Sequence, residues 1–325
     1  MKILVIGGAG YVGSHACKAL GLGGLEPIVF DNMASGHADA VKWGPLEVGD
    51  ILDPDRLDAV FRKHKPQLVM HFAAFAYVGE SVVDPAKYYR NNVVGTLSLL
   101  DAMRRNGVDS IVFSSTCATY GVPESLPITE MTPQRPINPY GFTKLVIERA
   151  LADYEVAYGL RWAAMRYFNA AGCDPDGELG ERHAPETHAI PLAILAALGK
   201  GPQFKVFGTD YDTEDGSAVR DYVHVSDLAS AHVAAIPYLL NGNASQAFNL
   251  ATGSAVSVLE LLRSVERVTG RPVPVELSAR RAGDPPALYA VADKARRVLG
   301  WQPDHTDIDG IVGSAAAWFT RHHNL

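Results

Sequence analysis

Lys2-Ile3-Leu4-Val5-Ile6-Gly7-Gly8-Ala9-Gly10-Tyr11-Val12-Gly13 decides the fold: a short aliphatic run, three glycines in a GxxGxxG spacing, and the opening of a helical period. Gly7, Gly10 and Gly13 let the chain turn sharply from strand to helix. They also let an anion approach the helix N-terminus, whose free N–H groups and dipole favour negative charge. Glycines alone can mark an ordinary turn, but directly after a first strand they read as a pyrophosphate-binding loop. Eighteen residues past Gly13, at the end of the second strand-like run, stands Asp31. A carboxylate there can bind both hydroxyls of an adenine ribose and repel a 2′-phosphate, which favours NAD over NADP. Without the glycines, Asp31 would read as a turn aspartate before Asn32. Asp50 and Ile51 end the third run near the adenine edge, and Phe72 and Ala73 follow the fourth, where strand ends face a cofactor crevice.

Outward from this loop, short aliphatic runs alternate with longer segments of helical period, the pattern of a parallel sheet covered on both faces. Strands are expected at 3–6, 27–30, 46–48, 68–71, 111–114 and 163–167, and helices at about 12–22, 55–64, 86–105 and 139–158. The fold class is therefore α/β, a Rossmann-type doubly wound parallel sheet. After Asn169 the texture becomes rich in Gly, Pro and Asp. Residues 1–169 are expected to form the dinucleotide-binding domain and 170–325 mainly a smaller α/β substrate lobe, with a return to the first unit near 219–250.

The 325 residues suffice for one large unit and a smaller one, and the hydrophobic share of 47% with 20% charged residues excludes a disordered chain. A net charge of −7 offers no basic field for nucleic acid. The longest apolar run, 189–198, is too short to span a bilayer. Cys17, Cys117 and Cys173 are odd in number and widely spaced, which suits a reducing cytoplasm. The first strand begins at Lys2, so no targeting peptide is expected.

Chemistry is concentrated in Asn138-Pro139-Tyr140-Gly141-Phe142-Thr143-Lys144. Asn138 suits a helix N-cap and Pro139 a first turn, so Tyr140 and Lys144 share one helix face. An ammonium beside a phenol favours the phenolate, making Tyr140 a proton acceptor and Lys144 its partner; the plain alternative is an exposed aromatic–lysine pair. Thr116 ends Ser114-Ser115-Thr116 at the carboxyl edge of the fifth strand, where open α/β sheets bind ligands, and can offer its hydroxyl to the same oxygen.

Gly7 to Gly13, Phe30-Asp31-Asn32, Gly49-Asp50-Ile51, His71-Phe72-Ala73-Ala74, residues 114–121 and Tyr140 to Lys144 together resemble the UDP-glucose 4-epimerases of the extended short-chain dehydrogenase/reductase superfamily. The likeness continues through Arg166-Tyr167-Phe168-Asn169, Thr213-Glu214-Asp215-Gly216, Val219-Arg220-Asp221-Tyr222 and Arg281-Ala282-Gly283-Asp284. It implies NAD contacts at Tyr11, Val12, Asp31, Asn32, Asp50, Ile51, Phe72, Asn91, Tyr140, Lys144 and Phe168, with Asn92 a structural neighbour. It implies UDP-sugar contacts at Thr116, Tyr140, Asn169, Arg220, Arg281 and Asp284, with Leu288 gating the sugar pocket, and a homodimer. Three departures stand out: Thr116 replaces a serine, Ala76 a lysine common near the nicotinamide, and Ala251 and Ala255 glycines.

Residues 114–121 with Pro127-Ile128-Thr129-Glu130 and Pro136-Ile137-Asn138-Pro139 also resemble UDP-xylose/UDP-arabinose 4-epimerases, so the pentose reading stays open. A dehydratase needs an acid–base carboxylate pair after the hydroxyl residue, where this chain has Cys117-Ala118-Thr119. A noncatalytic NAD sensor has no need of Tyr140 with Lys144. A metal enzyme built on His183, Glu186 and His188 is disfavoured because Pro185 interrupts any helix that would array them, so no metal is expected.

Overall fold

The computed structural model describes residues 1–281 and 285–322. Its first part runs β1 (Lys2–Ile6), α1 (Tyr11–Leu22), β2 (Glu26–Asp31), β3 (Leu46–Val48), α2 (Pro54–His64), β4 (Leu68–His71), α3 (Val78–Val83), α4 (Pro85–Tyr88), α5 (Gly95–Arg105), β5 (Ser110–Thr116), α6 (Pro139–Tyr158) and β6 (Arg161–Tyr167). There follow β7 (Asn169–Ala171), α7 (Ala189–Ala197), β8 (Phe204–Phe207), β9 (Val219–Arg220), β10 (Tyr222–His224), α8 (Val225–Leu240) and β11 (Gln246–Leu250). The rest is β12 (Val256–Ser257), α9 (Val258–Thr269), β13 (Val275–Ser278), β14 (Ala287–Leu288), α10 (Asp293–Leu299) and α11 (Ile308–His322).

Among the described residues, seven strands form one sheet in the order β11-β6-β5-β4-β1-β2-β3, parallel throughout. Such a sheet must be covered on both faces, which is why its strands are continuous apolar runs. Side chains alternate across it. Ile3 and Val5 point into a core shared with Cys17, Leu20 and Leu228, whereas Leu4 and Ile6 point into one shared with Leu57, Phe61 and Leu99. The expected strands lie where the sequence placed them, within a residue or two at their ends, because burial on both faces leaves an unmistakable run. β11, distant in sequence, pairs with β6 and completes the sheet.

The helix expected over 86–105 has a more complex winding. It consists of α4, a π-helical stretch Tyr89–Val94, and α5. In the wide turn, fully buried Asn92 accepts from Phe75 N at 2.9 Å and donates to Phe75 O at 3.0 Å and Thr143 Oγ1 at 3.2 Å. Extra backbone winding of this kind re-aims side chains where a straight helix could not.

The later elements gather round a third core, in which α7, α9 and α11 pack together through Ile194, Leu261, Val265, Val312 and Phe319. Among the described residues, no helix is long and apolar enough to cross a membrane. Cys17, Cys117 and Cys173 are free thiols.

Candidate active site

The turn from β1 into α1 requires glycine. Gly7 has φ +78°, and a Cβ there would lie 2.6 Å from Ala73 N. Gly10 is the N-cap of α1 and no side chain caps that end; beyond it a Cβ would meet only Gly7 O, at 3.4 Å. An uncapped helix N-terminus beside open space fits the pyrophosphate of a dinucleotide. Asp31, buried at the end of β2, braces the loop: its carboxylate accepts from Ala9 N at 3.0 Å and Met33 N at 2.9 Å. Burial raises its pKa, and those two N–H bonds oppose the rise. A carboxylate has lone pairs left for a ribose hydroxyl.

Neighbouring strand ends extend the crevice. Asn32 donates to Asp50 at 3.0 Å, and Asp50 also accepts from Leu52 N at 2.8 Å. Ile51 is buried, whereas Phe72 and Ala73 are half-buried at the end of β4. Asn91 donates to Asn92 Oδ1 at 3.0 Å, placing Asn91 outermost and Asn92 in the structural role. Tyr11, on the first turn of α1, donates to Gly172 O at 2.5 Å and so joins the loop to the chain after β7. Val12, half-buried, packs on the core below.

Asn138 caps α6 by accepting from Gly141 N at 2.9 Å, and Pro139 occupies the first turn. Gly141 lets this turn press against the segment after β5, since a Cβ there would lie 2.4 Å from Ala118 O. Tyr140 and Thr116 are thereby brought side by side, near enough for the Thr116 hydroxyl to act on the phenol. Thr116 also accepts from Ala118 N at 3.1 Å. Lys144, one turn along α6, is buried and donates to Ser114 O at 2.8 Å.

The electrostatics correct one expectation. Burial pushes the Tyr140 phenol well above its ordinary pKa, with Tyr167 adding to the rise and only the Thr116 hydroxyl opposing it. Lys144 is itself lowered to about 7 by burial, partly offset by Glu148. Desolvation outweighs the expected depression of the phenol by its lysine.

Phe168 is buried, and Asn169 donates through both N and Nδ2 to Asp221 O, at 3.0 and 3.1 Å. Arg220 donates to Val219 O at 2.8 Å and Pro285 O at 3.0 Å, and its charge is felt at Cys117, next to Thr116. Leu288 lies opposite Arg220 in the β14–β9 register and packs on the core that contains Phe168. Arg281 lies over the ring of Phe207, the last residue of β8, at 4.4 Å. Asp284 falls outside the described residues.

Some supports were not legible in the sequence. Asp221, wholly buried, accepts from Thr252 N, Thr252 Oγ1 and Gly253 N at 2.9, 2.7 and 3.1 Å, besides holding Asn169 through its carbonyl. Behind Thr116, Arg166 pairs with Glu148 at 2.5 Å and reaches Tyr120, which donates to Asn249 at 2.7 Å. Their partners are far away in sequence, and the only signal was charge inside apolar runs.

A model of the NAD dependent epimerase/dehydratase family matches residues 3–251. The chain belongs to that family. A UDP-glucose 4-epimerase from Rhizobium meliloti (strain 1021) is 57% identical over 322 residues, covering 99% of this chain and 98% of that protein. The crystal structure of UDP-glucose 4-epimerase from Brucella ovis in complex with NAD is 56% identical, with TM-score 0.96 and 98% of each chain covered. That of the Bifidobacterium longum enzyme with NAD+ and UDP is 38% identical, with TM-score 0.95, covering 100% of this chain and 99% of that one. The family's cofactor, NAD, accords with the uncapped α1 and with Asp31.

Proposed function

We propose that the chain inverts the C4 hydroxyl of UDP-glucose and UDP-galactose, with Tyr140 as the proton acceptor. The observation that carries this reading is the convergence of Tyr140, Thr116 and Lys144 at the carboxyl edge of β5, in a family that depends on NAD. Gly7, Gly10, Gly13, Tyr11 and Val12 hold the pyrophosphate, Asp31 and Asn32 the adenine ribose, Asp50 and Ile51 the adenine edge, and Phe72, Ala73, Asn91, Lys144 and Phe168 line the remaining crevice. NAD+ bound there supplies a two-electron oxidant, re-formed at the end of each cycle, and a cationic ring whose charge favours ionisation of a nearby phenol.

Tyr140 withdraws the 4-OH proton as C4 is oxidised, and Thr116 hydrogen-bonds the same sugar oxygen. The 4-keto sugar turns within the site, and Tyr140 returns the proton after reduction on the opposite face. Asn169, Arg220, Arg281 and Asp284 retain the UDP portion during that turn; arginine forks suit paired phosphate oxygens. Incubation with UDP-galactose, UDP-xylose and UDP-N-acetylglucosamine, followed by separation of C4 epimers, tests the reading. Conversion of the pentose alone would replace it with a pentose epimerase.

Free, unpaired thiols support a cytoplasmic setting. Exposed Val82, Val83, Tyr89 and Phe142 on α3, the π-helical stretch and α6 support a homodimer, for which light scattering at micromolar protein is the check.

A further inference from the structure

Among the described residues, two clusters of side chains able to ligate a metal stand outside the proposed chemistry: Asp174, Asp176 and Glu178, and Glu181, His183, Glu186 and His188. The first already has its cation. Lys18 Nζ reaches Asp174, Asp176 and Glu178 at 2.8, 2.6 and 2.8 Å.

The second cluster is different. Glu181 Oε1 lies 2.9 Å from His188 Nδ1 and 3.2 Å from His183 Nδ1, and Glu186 Oε2 lies 3.6 Å from His183 Nδ1. Ligands about 2.0–2.2 Å from a tetrahedral ion are separated by roughly 3.3–3.6 Å, so the 3.2 and 3.6 Å spacings approximate edges of a coordination polyhedron, and the 2.9 Å pair opens by a few tenths of an ångström to admit the ion. Ion pairing with a protonated imidazole accounts for the shortest of them, but none is an aligned hydrogen bond. Glu181, 2% exposed, has its Oε1 buried without a hydrogen-bond partner, and His183 Nδ1 is in the same position. His188 Nδ1 instead bonds Glu186 Oε1 at 2.9 Å. That oxygen is fixed by Thr187 N and His188 N, at 2.7 and 2.8 Å, leaving Oε2 toward His183. Backbone donors that orient a carboxylate are a recurring support of metal ligands.

The residues between β7 and α7 need no helix to converge, so the interruption at Pro185 that argued against a metal loses its force. We propose that Glu181, His183, Glu186 and His188 bind one divalent transition ion of the zinc or cobalt class. Two imidazoles with carboxylates select that class over magnesium or calcium, which prefer oxygen alone. The site is structural. It fastens this loop beside the dinucleotide turn, because His183 meets the Tyr11 ring at 6.1 Å and the Tyr77 ring at 6.1 Å, and Tyr77 donates to Pro185 O at 3.3 Å.

The test uses NAD-loaded protein treated with a chelator, dialysed, and titrated with Co2+ while the visible d–d bands are followed. Saturation near one ion per chain, with bleaching by Zn2+, is expected. His183→Ala and Glu186→Gln should weaken binding at least about tenfold, whereas Asp176→Asn in the neighbouring cluster should leave it unchanged. Absence of bands, or equal binding by His183→Ala, overturns the site. X-ray absorption on zinc-loaded wild type requires no variant: two imidazole nitrogens in the ligand shell are expected, and a shell of oxygen alone refutes the assignment.

Discussion

Tyr140 is held neutral by burial, so its proposed role depends on charge brought beside it rather than on a lysine contact. Tyr140→Phe keeps the ring and removes the acceptor. Turnover of UDP-galactose should fall about 10²–10⁴-fold, with NAD content and Tm near wild type; a stable variant with ordinary turnover would refute the role. Leu288 offers a second test, since it lies across from Arg220 in the β14–β9 register. Leu288→Ala should raise, and Leu288→Tyr lower, the ratio of kcat/KM for UDP-N-acetylglucosamine over UDP-glucose by about 1–3 kcal/mol. Unchanged ratios in both folded variants would remove Leu288 from the pocket wall. The setting of Tyr140 was legible because it is written locally, in a helix start, whereas Leu288 was singled out by the family resemblance alone and its neighbour Arg220 is remote in sequence. Asp221 was not legible: Thr252 and Gly253, the groups its carboxylate holds, appear only once the chain has returned from α8 and β11.

At the scale of elements, Glu47 shows how a strand and helix are fastened together. From β3 it accepts Arg56 and Lys63, both at 2.6 Å, and His64 at 2.7 Å, all from α2. Lys63, His64 and Arg56 together lower its pKa from 4.5 to about 2. A depressed carboxylate adds stability above its unfolded pKa and loses it as pH falls through the folded value. Glu47→Gln should therefore cost about 2 kcal/mol at neutral pH, and variant and wild type should converge between pH 4.5 and about 2. A constant difference in urea unfolding across that window would contradict this. Glu148→Ala strands Arg166 in the core and should cost about 3–5 kcal/mol, read as a shifted urea midpoint at unchanged slope; a loss below 1 kcal/mol would mean that the network is not needed. Strand positions were legible because parallel strands are apolar on both faces. The π-helical turn was not, since its cause, Asn92 bonding Phe75 and Thr143, is tertiary.

Over the whole molecule, contacts between distant segments hold the chain after β7 to the elements around the seven-stranded sheet. Lys18 on α1 enters its three carboxylates, Lys42 donates to Glu178 O at 2.9 Å, and Arg182 pairs with Asp39 at 2.7 Å. Lys18→Met leaves the buried Asp174 facing two more acids with no cation between them. A loss of about 3 kcal/mol is expected, at the low end for a buried pair because Asp176 and Glu178 reach water. A change below about 0.5 kcal/mol in urea unfolding would class the clasp with ordinary surface pairs. The sheet could be read from sequence, but the clasp could not, because Lys18 looks like any helix lysine until the loop at 174–178 folds over it.

The pairing of β11 with β6 has a consequence for the chain as it is synthesised. Residues 161–167 emerge long before their edge partner at 246–250, and at about 5–20 residues per second the interval is roughly 4–16 s. Throughout it the outer edge of β6 presents unpaired N–H and C=O groups, a template for another nascent strand. A ribosome stalled between these points would display a nearly complete sheet that is still adhesive.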